Sequence, residues 1–258
     1  MNIFLIGDIV GRTGRKAVRA LLPSIKNKYQ IDFIIANGEN AAGGFGLTRK
    51  VADELFDYGI NCLTMGNHTW DNKDIFNFIG QDARIIRPLN YSPAAPGRGW
   101  ATYQINQYRI TVINLIGQTF MNGYNNPFSV FDQHIAMIKK DSDFIVVDFH
   151  AEATSEKLAF AHYVDGQVAC IVGTHTHVQT ADQQILPRGS GYITDLGLTG
   201  AVDSILGMSK QAVIERFITG IPHRYDVANG QYQLAGLVVK INEKTGLTNK
   251  IYRILEND

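Results

Sequence analysis

The stretch IVGTHTHV, Ile171–Val178, runs from a buried-looking apolar strand into two histidines separated by one threonine. On a strand-like path alternate residues point the same way, so His175 and His177 would share one pocket while Thr176 turns aside. The same design recurs along the chain. NIFLIG is followed by Asp8, DFIIANG by Glu39 and Asn40, CLTMG by Asn67 and His68, and FIVVDF by His150. Each apolar run is short and continuous, the pattern of a strand buried on both faces. In open α/β sheets ligands bind at the carboxyl ends of strands, and that is where these polar side chains fall.

Helical patterns separate many of the runs: Arg15–Lys28, Thr48–Tyr58, Phe131–Lys140, Ser155–Tyr163 and Ser209–Ile218, with Thr48, Ser155 and Ser209 as expected N-caps. Strands alternating with helices predict an α/β fold with a largely parallel sheet. The last two runs, YQLAGLVVKI and LTNKIYRIL, read as a hairpin across NEKTG. That hairpin predicts a second, mixed or antiparallel sheet, and hence a layered sandwich.

With 258 residues, 45% hydrophobic, the chain can bury one large core, and a single domain over 1–258 is expected. Lys plus Arg and Asp plus Glu both total 24, so the formal net charge is zero. That balance argues against a broad nucleic-acid surface while leaving room for a locally charged pocket. Cys62 and Cys170 each lie inside an apolar run and read as small core residues of a reducing compartment. MNIFLIGDIV has no basic start and is interrupted by Asp8, and no stretch has the length of a membrane span. A cytoplasmic protein with no membrane partner is expected.

Carboxylate, amide and imidazole donors without thiolate suit iron, manganese or zinc, not an iron–sulfur cluster. The donors are too many for one ion and suit two, with Glu39 able to bridge. Two dications bring four positive charges, of which Asp8 and Glu39 return two, so the surplus would attract a phosphate. Paired metals about 3.5–4 Å apart stabilise the attacking and leaving oxygens of an in-line displacement. Taken singly, Asp8 fits a helix N-cap, Asn67 a turn, His150 a core histidine, and His68 a packing partner of Trp70. Glu39 resists such a reading, since a buried carboxylate needs a partner. All of these holding together is the poorer explanation of five strand ends. His134, His162 and His223 read as helix-flank, helical or turn residues. GDIVGRTG, Gly7–Gly14, matches neither G-x-G-x-x-G nor a P-loop, and no G-x-S-x-G elbow is present.

The spaced set GDIVG, NGEN, GNHTWD, DFHAEATSEK and GTHTHVQTAD resembles the calcineurin-like metallophosphoesterase superfamily, and closely its YmdB-like branch of bacterial phosphodiesterases. The likeness continues through YITDLGLTG and ILGM to the closing strands. It implies a four-layer α/β/β/α sandwich with a dinuclear site, iron being the metal most often associated with it. By that resemblance Asp8, Asn40 and His177 would hold one ion and Asn67, His150 and His175 the other. Glu39 would bridge them, and His68 would be the general acid. The usual first motif, Asp-x-His, is absent, since Ile9 and Val10 follow Asp8, and Asn40 stands in for the missing imidazole. The implied activity is hydrolysis of 2′,3′- or 3′,5′-cyclic nucleotides, and the implied assembly a dimer or tetramer. Phosphomonoesterase or nuclease action on the same core is the enzymatic alternative. A regulatory module that binds a nucleotide or protein and has lost hydrolysis is the non-enzymatic one.

Overall fold

The computed structural model describes residues 1–258. Two mixed sheets face each other, and helices cover their outer faces. The first sheet contains β1 (Asn2–Ile6), β2 (Asp8–Ile9), β3 (Phe33–Asn37), β4 (Cys62–Thr64), β5 (Ile85–Ile86), β12 (Leu198–Ala201), β13 (Tyr232–Ile241) and β14 (Thr248–Asn257). The second contains β6 (Trp100–Ile105), β7 (Tyr108–Ile116), β8 (Phe144–His150), β9 (Cys170–Thr174), β10 (Gln184–Ile185) and β11 (Gly191–Ile193). Strands β1, β3, β4 and β5 run parallel in one sheet, and β7, β8, β9 and β11 in the other.

Side-chain alternation in the strands builds three apolar layers. Phe4, Ile6, Ile34 and Ala36 face α1 (Gly11–Tyr29) and α2 (Arg49–Asp57), packing with Val18, Leu22 and Leu55. Ile3, Leu5, Phe33 and Ile35 face the other way and meet Val112, Val146 and Val172 between the sheets. Ile145, Val147 and Phe149 leave the opposite face of β8 and pack under α3 (Pro127–Ile138) and α4 (Thr154–Val164) with Phe131 and Phe160. The result is the expected α/β/β/α sandwich. Cys62 and Cys170 are free and buried between the sheets. No helix is long and apolar enough to cross a membrane.

Several local expectations give way. The closing hairpin forms, but it founds no second sheet: β14 covers one edge of β13, and β1 and β12 pair antiparallel along the other. Hairpin and N-terminal strand thus belong to one sheet, because β13 buries Leu237 and Val239 against the same inter-sheet layer as Ile3 and Leu5. Thr48 caps α2 as expected, accepting from Val51 N at 3.3 Å. Ser155 does not cap α4, whose N-cap is Ala153. Ser209 occupies the N-cap of α5 (Lys210–Thr219) but its side chain makes no capping bond. Asp8 is no cap either; it opens β2, and Val10 precedes α1.

Candidate metal centre

The eight residues singled out at strand ends come together at one end of the sandwich. Asp8, Glu39, Asn40, Asn67 and His68 arrive from the first sheet, His150, His175 and His177 from the second. The positions just past β1 and β4 need glycine because the backbone there passes close to its neighbours. A Cβ on Gly7 would lie 1.9 Å from Gly197 O, and one on Gly66 would lie 2.3 Å from His150 Nε2 and 2.6 Å from Glu39 Oε2.

His150 Nε2 is the hub of one cluster. It lies 2.9 Å from Asn67 Oδ1, 3.0 Å from Glu39 Oε1 and 3.1 Å from His175 Nδ1. One ring nitrogen carries at most one proton and cannot donate to all three. Donors placed octahedrally about 2.1 Å from a common centre sit about 3 Å apart, which is the spacing seen. The donor atoms of Glu39, His150 and His175 all lie within 4.8 Å of one another. The other ring nitrogen fixes the tautomer. His150 Nδ1 is 2.9 Å from Thr174 Oγ1, and that hydroxyl donates to Asp148 Oδ1 at 2.7 Å. The hydroxyl's proton being committed, Nδ1–H donates to it, and the Nε2 lone pair faces the cluster.

A second group forms around His177. Its Nδ1 donates to Leu206 O at 3.2 Å, leaving Nε2 at 3.3 Å from Asn40 Nδ2 and 3.5 Å from Asp8 Oδ1. Exchanging the two ends of the Asn40 amide would present Oδ1 to the same point. Asp8 Oδ2 accepts from His175 N at 3.2 Å and Glu39 Oε2 from His68 N at 2.8 Å. Their other oxygens, Asp8 Oδ1 and Glu39 Oε1, are buried and make no hydrogen bond. Orphaned carboxylate oxygens in a wholly buried place are rare and costly unless a cation meets them. The residues therefore fit a bound metal cation.

Charge follows from the same geometry. Burial works against the Asp8 and Glu39 carboxylates, but His177 beside Asp8 and His150 beside Glu39 hold both below the ordinary range. Burial also works against a charged His177, and Asp8 more than offsets it, raising the imidazole to about 9. His150 is likewise raised, burial being outweighed first by Glu39. His175 is lowered to about 3 by burial and then by His150.

The histidine loop departs from expectation. Strand β9 ends at Thr174, and His175 and His177 have φ of 98° and 64°, in the left-handed region. Strand alternation therefore does not aim the pair. Thr176 does turn aside, and its N–H and hydroxyl both donate to Asp195 Oδ2, at 3.1 and 2.7 Å. Lys157 Nζ donates to the same oxygen at 2.7 Å, and Gly197 N to Oδ1 at 2.8 Å. Lys157 and Asp195 are 1% and 0% exposed. This buried ion pair clamps the strained loop, and backbone strain of this kind persists only where surroundings overdetermine it.

Sequence reasoning missed these partners. Lys157 lies in a helical pattern where lysine reads as surface, and nothing local ties it to Asp195. Glu152 Oε2, two residues beyond His150, lies 3.0 Å from His175 Nε2. Asp71 Oδ2 accepts from His68 Nδ1 at 2.7 Å, and that i,i+3 spacing was open to reading. His134 bonds Val130 O within its helix, His162 is exposed, and His223 lies 3.8 Å from Glu215, all apart from the centre.

A family model described as "YmdB-like protein" matches residues 4–254. A 2′,3′-cyclic-nucleotide 2′-phosphodiesterase of Bacillus subtilis is 49% identical over 258 residues, covering 100% of this chain and 98% of that protein. The crystal structure of a hypothetical protein from Thermus thermophilus superposes with a TM-score of 0.94 at 36% identity, with both chains fully covered. A phosphatase from Mycoplasma pneumoniae gives 0.94 at 36% identity, covering all of this chain and 93% of that one. The NAD nucleotidase of Haemophilus influenzae shares the fold, with a TM-score of 0.61 at 13% identity, over 99% of this chain and 55% of that one.

Proposed function

This chain belongs to the YmdB-like protein family, and we propose that it is a metal-dependent phosphodiesterase hydrolysing cyclic nucleotides, 2′,3′-cyclic before 3′,5′-cyclic. The observation that carries the metal reading is the pair of orphaned oxygens, Asp8 Oδ1 and Glu39 Oε1, buried among imidazoles. Asn67, His150 and His175 would hold one ion, Asp8, Asn40 and His177 the other, with Glu39 between them. Family resemblance makes iron the first expectation, and the donor atoms suit manganese and zinc equally. Two bound dications would grip phosphate oxygens and lower the pKa of a water toward neutrality.

The chain's own residues do the rest. Asp8 and Glu39 would return two of the four positive charges of bound dications, and imidazoles deprotonated on ligation, together with the amides, would leave the site electropositive for a phosphodiester. Asp71 accepts the Nδ1 proton of His68, so Nε2 is the atom that delivers a proton to the departing ribose oxygen. The Glu39 carboxylate takes the His68 backbone N–H and so ties the acid to the metal cluster. The whole of 1–258 acts as one domain, in the cytoplasm, as a dimer or tetramer; sedimentation tests the assembly.

Elemental analysis of the purified chain, paired with a screen of cyclic nucleotides, tests the reading. About two metals per chain and hydrolysis of a cyclic nucleotide are expected; fewer than one metal would refute the two-ion site. Phosphomonoester hydrolysis is the second reading, suggested by the phosphatase from Mycoplasma pneumoniae. Bis-p-nitrophenyl phosphate turned over faster than p-nitrophenyl phosphate would dispose of it.

A further inference from the structure

We infer that the apolar wall beside the centre is a nucleobase platform on which Phe217 and Phe45 stack the base with little discrimination among bases. The inference rests on the proposed cyclic-nucleotide reading and names how the non-phosphate half of that substrate is held.

A cleft of about 290 Å³ has His68, His175 and His177 at one end and Phe45, Met208 and Phe217 among its walls. That volume is at the small end of ligand pockets, suited to one mononucleotide. A phosphate and its metals call for none of these apolar side chains. Beyond the residues of the centre, the lining includes no Lys, Arg, Asp or Glu. Phe217 is 84% exposed and Phe45 39% exposed, so both rings are open to whatever enters the cleft they line. A planar base presents a π-face to such rings whatever its edge, and stacking is therefore tolerant of base identity.

The wall is built into the centre. Leu206, whose carbonyl accepts from His177 Nδ1, lines the same cleft and holds a left-handed φ of 52°. Gly44, at φ 98°, lets the Phe45 loop close on that segment, since a Cβ there would stand 3.0 Å from Met208 Cε. Arg216 Nη1 donates to Tyr225 Oη at 2.8 Å and packs over its ring, fixing the turn of α5 that presents Phe217. Phe45 meets the His68 ring edge-on at 5.2 Å, so the platform adjoins the proton donor.

The test compares kcat/KM for 2′,3′-cyclic AMP with that for the cyclic phosphate of 1-O-methyl ribose, which has no base, using the full chain supplied with manganese(II). In Phe217→Ala the ratio of the two should fall about tenfold, chiefly through KM. Ile214→Ala, an exposed apolar change on α5 outside the cleft, should leave the ratio alone. An unchanged ratio in Phe217→Ala, or an equal fall in Ile214→Ala, overturns the platform. If the unaltered chain cleaves neither compound, the phosphodiesterase reading fails, and calorimetric titration decides the platform separately. Binding of 3′-AMP about tenfold tighter than ribose 5-phosphate, lost in Phe217→Ala, upholds it; equal binding of the two rejects it.

Discussion

Lys157→Met replaces a buried ammonium by an apolar chain of similar length and leaves Asp195 charged at 0% exposure. Removing one partner of a buried pair costs about 3–5 kcal/mol. Here the lower end applies, because the Asp195 carboxylate keeps the Thr176 N–H, the Thr176 hydroxyl and the Gly197 N–H. A loss of about 3 kcal/mol, or about 6–12 °C in Tm for a chain of this size, is expected. Urea unfolding followed by circular dichroism measures it. Because the Thr176 clamp survives, Lys157→Met should keep its metal. Asp195→Leu removes the clamp itself and should lose metal as well as stability. The double variant should be more stable than the sum of the two losses predicts, by about 1 kcal/mol or more, since no charge is then stranded. A Lys157→Met protein within about 1 kcal/mol of the unaltered chain would refute the reasoning, as would strict additivity in the double variant.

His68→Ala should lower turnover about 10²–10⁴-fold while metal content stays near that of the unaltered chain; joint loss of both would remove His68 as the acid. Gly66→Ala should abolish metal retention in elemental analysis without changing far-ultraviolet circular dichroism, because its Cβ would lie 2.3 Å from His150 Nε2. Metal-free protein should be most stable in urea between about pH 6 and 7. His177 has its folded-state pKa raised to about 9, so its contribution is full below its ordinary 6.5 and is lost as pH rises through 9. His175, lowered to about 3, and the depressed Asp8 and Glu39 act oppositely, withdrawing stability as pH falls. A flat profile from pH 6 to 9.5 would contradict the Asp8–His177 pairing. Chelation of the loaded protein should lower its Tm, and returning manganese(II) should restore it; a Tm indifferent to chelator would argue against the ions.

The sandwich was legible because parallel strands buried on both faces write themselves as continuous apolar runs, as in NIFLIG, DFIIANG and FIVVDF. The convergence of Asp8, Glu39, Asn40, Asn67, His68, His150, His175 and His177 was legible for a related reason: strand ends of one polarity share an edge. What stayed hidden depends on distant partners. Pairing of β13 with β1 joins the two ends of the chain, and no local pattern announces it. The left-handed backbone at His175 and His177 is imposed by Asp195 through Thr176, and β-like spacing gave the opposite expectation. Ser155 has cap chemistry but lies one residue inside α4, whose start at Thr154 follows from the packing of Phe160 and Ala161 beneath β8.

The centre draws its carboxylates and amides from one sheet and its aiming histidines from the other. Ions held there would act as rivets through two plates joined otherwise by interleaved apolar side chains and a few hydrogen bonds, such as Met65 N to Asn114 Oδ1 and Thr248 Oγ1 to Ala169 O. Neither plate alone would grip an ion, so any excursion that parts the sheets would let one escape. The off-rate of the metals would then serve as a clock for the rarest breathing of the molecule. Mutations deep between the plates, at Val146 or Leu237 for instance, would shorten its tick without touching the donors.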